Sequence, residues 1–203
     1  MPDLLVLERD LWDRGFSVVA GVDEAGRGAL FGPVVAAAVV LDRRRDLSLY
    51  RDSKTLSEPS RENLYDRLAE DGHRFATGLS TCEEIDATDI LRASLLAMAR
   101  ALDGLGTPRP DFVLVDGPHY PGVSLTGRAV VHGDGCSASV AAASIVAKVT
   151  RDRLVREMDR QFPGYGLGRH KGYATQGHLE ALRRLGPTPL HRRTFRGVEQ
   201  ETA

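Results

Sequence analysis

Three short apolar runs in this chain each stop at an acid, and each has the β-branched character of a strand. Residues 16–22 lead into Asp23 and Glu24, residues 112–115 into Asp116, and residues 129–131 end just before Gly133, Asp134 and Gly135. If these strands lie side by side their ends converge, and ligands of open α/β sheets gather at such edges. A fourth run, residues 34–41, is apolar throughout with no alternation. That is the mark of a buried strand, and it falls far short of the roughly 18 residues a membrane span needs.

The segments between the strands read as helices and loops. Ser57 caps a helix running to about Glu70, with Leu64 and Leu68 on one face and Gly72 closing it. Residues 73–81 form another strand, weakened by Gly78. Thr88 or Asp89 opens the next helix, with Ile90, Leu91, Leu95 and Met98 at helical spacing and Gly104 as its stop. One long helix is predicted from Ser137 to about Gln161, small and apolar over 138–147 and charged from Arg151 to Arg160. Phe162, Pro163 and Gly164 break it. A glycine-rich loop carrying Tyr165, His170, Lys171 and Tyr173 follows, then a short helix over 175–185 and an irregular end. There is no internal repeat and no low-complexity linker. The pattern predicts an α/β sheet whose C-terminal helices either pack on it or form a small second lobe.

Bulk properties exclude several classes. At 203 residues, 42% hydrophobic and 27% charged, the chain has the composition of a soluble globular protein. Its first residues are acidic and break their apolar run early, unlike a secretory signal. Cys82 and Cys136 have neither metal-site spacing nor the numbers for a disulfide framework, which predicts a reducing, cytoplasmic compartment. The net charge of −1 conceals an asymmetry: residues 1–127 carry 14 Lys and Arg against 21 Asp and Glu, residues 128–203 carry 13 against 7. An acidic half suits cations and a basic half suits a polyanion. Only Lys54, Lys148 and Lys171 break an otherwise arginine-based positive set, as compact point charges would.

Carboxylates gathered at converging strand ends repel one another and raise each other's pKa values. A divalent cation removes that repulsion, so Asp23, Glu24, Asp116 and Asp134 together make sense as a hard-ion site. Two ions could position a water and stabilise the leaving oxygen of a phosphodiester. Neighbouring strand residues point to opposite faces, so Asp23 and Glu24 can share an ion only if the backbone turns there, a turn that the nearby Gly26 favours. Gly26, Arg27 and Gly28 form a loop whose main chain could reach a ribose hydroxyl, or a simple turn. The spacing of Gly26 to Gly32 departs from a dinucleotide fingerprint, and the preceding acids would repel a pyrophosphate. Asp116 and Asp134 read equally as turn residues beside glycine, Lys148 and Arg151 as surface charges, and Tyr173 as a packed core edge.

The order of motifs resolves this. Residues 21–33, then Asp52-Ser53-Lys54, Asp116-Gly117, Gly133-Asp134 with residues 141–148, His170-Lys171-Gly172-Tyr173 and finally residues 191–195 together closely resemble type 2 ribonuclease H, the bacterial ribonuclease HII. The match covers nearly the whole chain in the right order. The resemblance implies an RNase H-like fold, an α/β five-stranded mixed sheet flanked by helices. It implies one catalytic domain over 1–203, with a core of about 16–160 and a helical C-terminal extension of about 161–203. The implied activity is endonucleolytic hydrolysis of the RNA strand of RNA–DNA hybrids, and cleavage 5′ to single ribonucleotides embedded in duplex DNA. Products would be 3′-hydroxyl and 5′-phosphate ends, as in ribonucleotide excision repair.

By matching positions, Asp23, Glu24, Asp116 and Asp134 would be the catalytic, metal-binding carboxylates, with Mn2+ or Mg2+ as cofactor in a two-metal arrangement. Gly26, Arg27 and Gly28 would read the 2′-hydroxyl, and Tyr173 would pack on the sugar beyond the RNA–DNA junction. Lys54, Lys148, His170 and Lys171 would lie near scissile or flanking phosphates. Gly135-Cys136 and Phe31 depart from the residues usual in the family, which bears on phosphate contacts near residue 136. The partners implied are RNA–DNA hybrid and ribonucleotide-containing duplex DNA, with no membrane; a monomer is the default. The competing reading is a non-catalytic nucleic-acid-binding module of the same fold.

Overall fold

The apolar run at 34–40 is buried almost throughout because the sheet it belongs to is covered on both faces. The computed structural model describes residues 3–50 and 56–198. Five strands, β1 (Val19–Ala25), β2 (Val34–Val40), β3 (Arg74–Ser80), β4 (Phe112–Asp116) and β5 (Gly127–Val130), form one sheet in the order β3-β2-β1-β4-β5. β2 runs antiparallel to both β1 and β3, while β4 is parallel to β1 and to β5. The helices are α1 (Val6–Asp13), α2 (Glu58–Glu70), α3 (Cys82–Ala87), α4 (Ile90–Gly104), α5 (Ala138–Gln161), α6 (Leu167–His170) and α7 (Gln176–Leu185).

Strand alternation sorts the apolar residues between two layers. Ala20 and Val22 of β1, with Val34, Ala36 and Ala38 of β2, pack with Ala93, Ala97 and Met98 of α4. The opposite face, Ala25, Ala37 and Val39, packs with Ala141, Ala142, Ile145 and Val146 of α5. Small residues bring helix and strand backbones unusually close. A Cβ on Gly21 would stand 2.1 Å from the Ser139 carbonyl carbon of α5, and one on Gly78 would stand 2.3 Å from the Ala97 oxygen of α4. Gly78, which weakens β3 by propensity, is what lets α4 lie against it.

The start of α5 is fixed from outside the sheet. Glu8 of α1 is buried, and its Oε1 accepts from the Ser139 N–H at 3.0 Å and from the hydroxyls of Ser137 and Ser139. A carboxylate at a helix N-terminus also meets the positive end of the helix dipole. Farther along the chain, α6 and α7 pack against the charged half of α5 and the loop after β1, through Leu30, Phe31, Val155, Leu167, Ala181 and Leu182. Phe31, the unusual residue before Gly32-Pro33, fills this cluster with no exposed surface.

Several elements differ from the sequence expectation. β1 starts at Val19 and runs through Asp23 and Glu24 to Ala25, so both acids sit inside the strand. β5 spans Gly127–Val130, and Val131 is an exposed turn residue. Thr81 ends no strand; it caps α3 in a reciprocal pair with Glu84, a signal present in the Thr81-x-x-Glu84 spacing. α1 gave no such signal, since Leu5 at its N-cap makes no side-chain cap bond. No helix among the described residues is long and apolar enough to cross a membrane.

The backbone approach at Gly21 and Gly78 sets a test of this packing. Gly21→Ala and Gly78→Ala should each destabilise the fold by about 1–3 kcal/mol or more, read as a lower denaturant midpoint, because the clash is with helix backbone and not with a yielding side chain. Wild-type midpoints would contradict the close approach.

Candidate functional site

The parallel register of β1 and β4 pairs Val22 with Val115, so Asp23, inside β1, and Asp116, the last residue of β4, follow on neighbouring strands. On the other side β5 pairs Val130 with Asp116 and then turns back at His132, whose φ is 57°. That left-handed residue starts the turn at Gly133–Gly135, and the Gly133 N–H donates to Asp116 Oδ1 at 2.7 Å. Asp134 lies buried on the same turn. The Cys136 thiol is pushed up by burial first and then by Glu8, Asp116 and Asp134, so both acids reach the same sulfur electrostatically.

Asp23 is strongly perturbed. Burial, then Glu24, then Asp116 hold its carboxyl well above the ordinary range, against hydrogen bonds from the Ser144 side chain and the Glu24 N–H. Burial raises Glu24 as well, with Asp116 adding to the rise and Arg27, 3.1 Å away, opposing it. Glu24 Oε2 is buried with no hydrogen-bond partner among the described residues.

The backbone turn expected to let Asp23 and Glu24 share an ion does not occur between them. β1 stays extended through Ala25, so Asp23 faces Ser144 on α5 while Glu24 lines a small pocket with Asp116 and α4 residues. The turn comes only at Gly26, φ 96°. Among the described residues no three acid, imidazole or thiol groups stand close enough to hold an ion as they are. The donor set still fits a hard cation. It consists of carboxylate oxygens, one of them buried and orphaned, on groups whose mutual repulsion a cation would relieve.

Next to the acids lies a groove of about 440 Å³ lined by Glu24, Gly26, Arg27, Gly28, Lys148 and Tyr173, with Arg61 and Ser144 completing it. Its floor is a loop held by two fully buried arginines. Arg151 donates to the carbonyls of Pro33, Lys171 and Phe31 at 3.0–3.1 Å, and Arg192 to those of Gly32 and Arg27 at 2.9–3.0 Å. Gly26 is obligatory there, because a Cβ would fall 1.9 Å from Arg151 Nε. Gly28 is different, since nothing lies within 4 Å of where its Cβ would be. Tyr173 borders the groove opposite. Ala29 bridges to it, and Leu30 N–H donates to the Gly172 carbonyl at 2.8 Å. Its ring carries Lys148 Nζ at 5.7 Å and the Arg151 guanidinium at 5.5 Å.

Other candidates are placed differently. Lys54 lies outside the described residues. His170 and Lys171 do not line the groove. His170 spends its ring nitrogens on the Tyr165 carbonyl and the Gly172 N–H, and Lys171 turns its Nζ to the Gly168 carbonyl and toward Glu58. Both hold their own loop together, because a glycine-rich turn has few side chains of its own to pack. Lys148 lines the groove but is already paired with Asp152 at 2.7 Å. Arg61, Ser144 and Arg192 were not singled out for a site by sequence reasoning, and Arg151, which read as a surface charge, is fully buried because its guanidinium is taken up by main-chain carbonyls. An arginine within the inner stretch of α5, and one in the His191-Arg192-Arg193 run, were the available hints.

The family model described as Ribonuclease HII matches residues 20–198 of this chain. The chain belongs to the ribonuclease HII family. A curated relative of that name from Geobacter metallireducens is 49% identical, the match covering 97% of this chain and 95% of the relative. The solved ribonuclease H2 of Pyrococcus horikoshii OT3 superposes with a TM-score of 0.74 at 29% identity, covering 90% of this chain and 95% of that one. Bst-RNase HIII, solved in complex with Mn2+, shares the fold at a TM-score of 0.69 and 17% identity, over 91% of this chain and 68% of its own. Family membership makes the chain a ribonuclease H.

The repulsion at Asp23 has a measurable consequence. A carboxyl whose folded pKa lies above its unfolded value stabilises the fold fully only below the unfolded value, and loses that contribution as pH rises through the folded one. Asp23→Asn should therefore raise the melting temperature of the metal-free protein at pH 7, by about 2–4 °C for each kcal/mol relieved, with the gain shrinking toward pH 4. A variant no more stable than wild type at pH 7 would contradict the repulsion.

Proposed function

We propose that this enzyme uses divalent cations to hydrolyse the RNA strand of RNA–DNA hybrids and to cut 5′ to single ribonucleotides embedded in duplex DNA. The observation that carries the reading is adjacency. Glu24, one of the mutually repelling acids on β1 and β4, lines the groove walled by Gly26, Arg27, Gly28 and Tyr173, as does Ser144, the hydrogen-bond partner of Asp23. Asp23, Glu24, Asp116 and Asp134 would hold the cations, Mn2+ or Mg2+. Bound there, they would supply the heightened water acidity and the charge neutralisation that phosphodiester hydrolysis needs. Water adds to phosphorus, the bond to the 3′ oxygen breaks, and that oxygen takes a proton, leaving 3′-hydroxyl and 5′-phosphate ends.

Substrate choice falls to the chain's own groups. Phosphate contacts give affinity on any nucleic acid, so discrimination has to come from the 2′-hydroxyl, which both donates and accepts. The open space at Gly28 leaves main-chain groups of the loop accessible to such a hydroxyl. Tyr173, 37% exposed at the far wall, would lie on the neighbouring sugar. Arg61 and Lys148 would add phosphate contacts on the same side.

The test compares an all-DNA duplex with one carrying a single ribonucleotide, in Mg2+ or Mn2+. Cleavage should occur only on the second, stop with a chelator, and fall at least about 100-fold in Asp116→Asn. Equal cleavage of both duplexes would overturn the specificity, and full activity in Asp116→Asn would overturn the site. Gly28→Ala separates fold from reading. It should melt within about 0.5 kcal/mol of wild type, since its methyl meets nothing, yet lose activity on the single ribonucleotide. Wild-type activity would show that the hydroxyl is read elsewhere.

A further inference from the structure

Tyr173 is held from behind by a file of histidines that the catalytic reading leaves unused. His178 and His191 are both buried, with 0% and 1% exposure. The Thr188 N–H, which can only donate, lies 2.9 Å from His191 Nδ1, so that nitrogen accepts and carries no proton. The neutral ring then bears its proton on Nε2, 3.1 Å from Nε2 of His178. The His178 nitrogen must accept, which puts the His178 proton on Nδ1, 3.0 Å from the Tyr173 carbonyl oxygen. A carbonyl can only accept, so every donor meets an acceptor, in one direction, from Thr188 to Tyr173. The second lone pair of the same carbonyl takes the Thr175 N–H at 2.8 Å.

The surroundings keep both rings neutral. Burial is the leading cause that lowers each, with His178 and then Arg193 acting on His191, which is pushed down to about 4. His170 stacks on His178 at 4.4 Å, and the Phe31 ring meets His191 edge-on at 4.9 Å. Neither of these neighbours supplies a counter-ion that would favour a protonated ring.

We propose that His178 and His191 are positioning residues, a one-way hydrogen-bond relay that fixes the main chain of Tyr173 and thereby the ring presented to the substrate sugar. The proposal rests on the reading of Tyr173 as a substrate-contacting residue. Two measurements separate the two claims. Long-range nitrogen–proton correlation spectra of the wild-type protein at pH 7 should give His178 as the Nδ1–H tautomer and His191 as the Nε2–H tautomer. Any other pairing overturns the relay, without need of a variant that folds.

Kinetics on the single-ribonucleotide duplex test the consequence. His178→Leu should raise KM about tenfold with little change in kcat. His178→Asn, which keeps an N–H near the Nδ1 position, should recover most of that loss. The double variant His178→Leu/Tyr173→Ala should be no worse than Tyr173→Ala, because the relay acts through that one residue. Additive losses, or an Asn variant as poor as Leu, would overturn the positioning role. A wild-type KM in Tyr173→Ala alone would instead overturn the substrate-contact reading, while the tautomers still decide the relay.

Discussion

Two buried guanidinium groups, each hydrogen-bonded to main-chain carbonyls and to no carboxylate among the described residues, hold the loop from Gly26 to Pro33 in place. A buried charge is costly unless its hydrogens are satisfied; Arg151 donates to the Phe31, Pro33 and Lys171 carbonyls and Arg192 to those of Arg27 and Gly32, while Nη2 of Arg192 is buried without a hydrogen-bond partner among the described residues. The loop cannot relax without exposing those cations to apolar surroundings, so its shape is set before any substrate arrives. Arg151 comes from α5 and Arg192 from the segment after α7, which ties the sheet, the long helix and the C-terminal region to one short stretch of backbone. Gly26 follows from the same constraint, since the Arg151 side chain occupies the place a Cβ would need.

A rigid loop beside a strained set of acids is a sensible division of labour. The acids on β1 and β4 give up stability to their mutual repulsion and to burial, and the rest of the molecule offsets that cost through close helix–sheet packing. The loop adds no further strain there. It presents main chain next to the acids and leaves open space at Gly28. Tyr173 closes the other side, joined to the loop by backbone bridging at Ala29. In the proposed function, cation chemistry and sugar recognition thus come from different parts of the chain that meet at the end of one strand.

Much of this was legible in the residues and some was not. The buried strand at 34–40, the caps at Ser57, Asp89 and Ser137, and the long helix of α5 were readable from period and capping chemistry. The convergence of Asp23 and Asp116 was readable because both end apolar runs, although only the parallel pairing of β1 with β4 makes it real. The facing of Asp23 and Glu24 was half legible. Strand alternation predicted opposite faces, but the turn meant to reconcile them comes two residues later, at Gly26. Buried arginines were hidden, because a guanidinium that satisfies itself on distant carbonyls leaves no local pattern. His170 and Lys171 were named for phosphates through the resemblance alone; their hydrogen bonds here lie inside their own loop, and Lys171 also faces Glu58 of α2.

The central claim is that acids from separate strands form one cation site. Its most direct measurement is a Mn2+ titration of the full chain without nucleic acid, followed by the loss of the free-ion electron paramagnetic signal. The account predicts binding by the wild-type protein that is lost when Asp23, on β1, or Asp116, on β4, is singly replaced by Asn. Unchanged binding in both variants would contradict it.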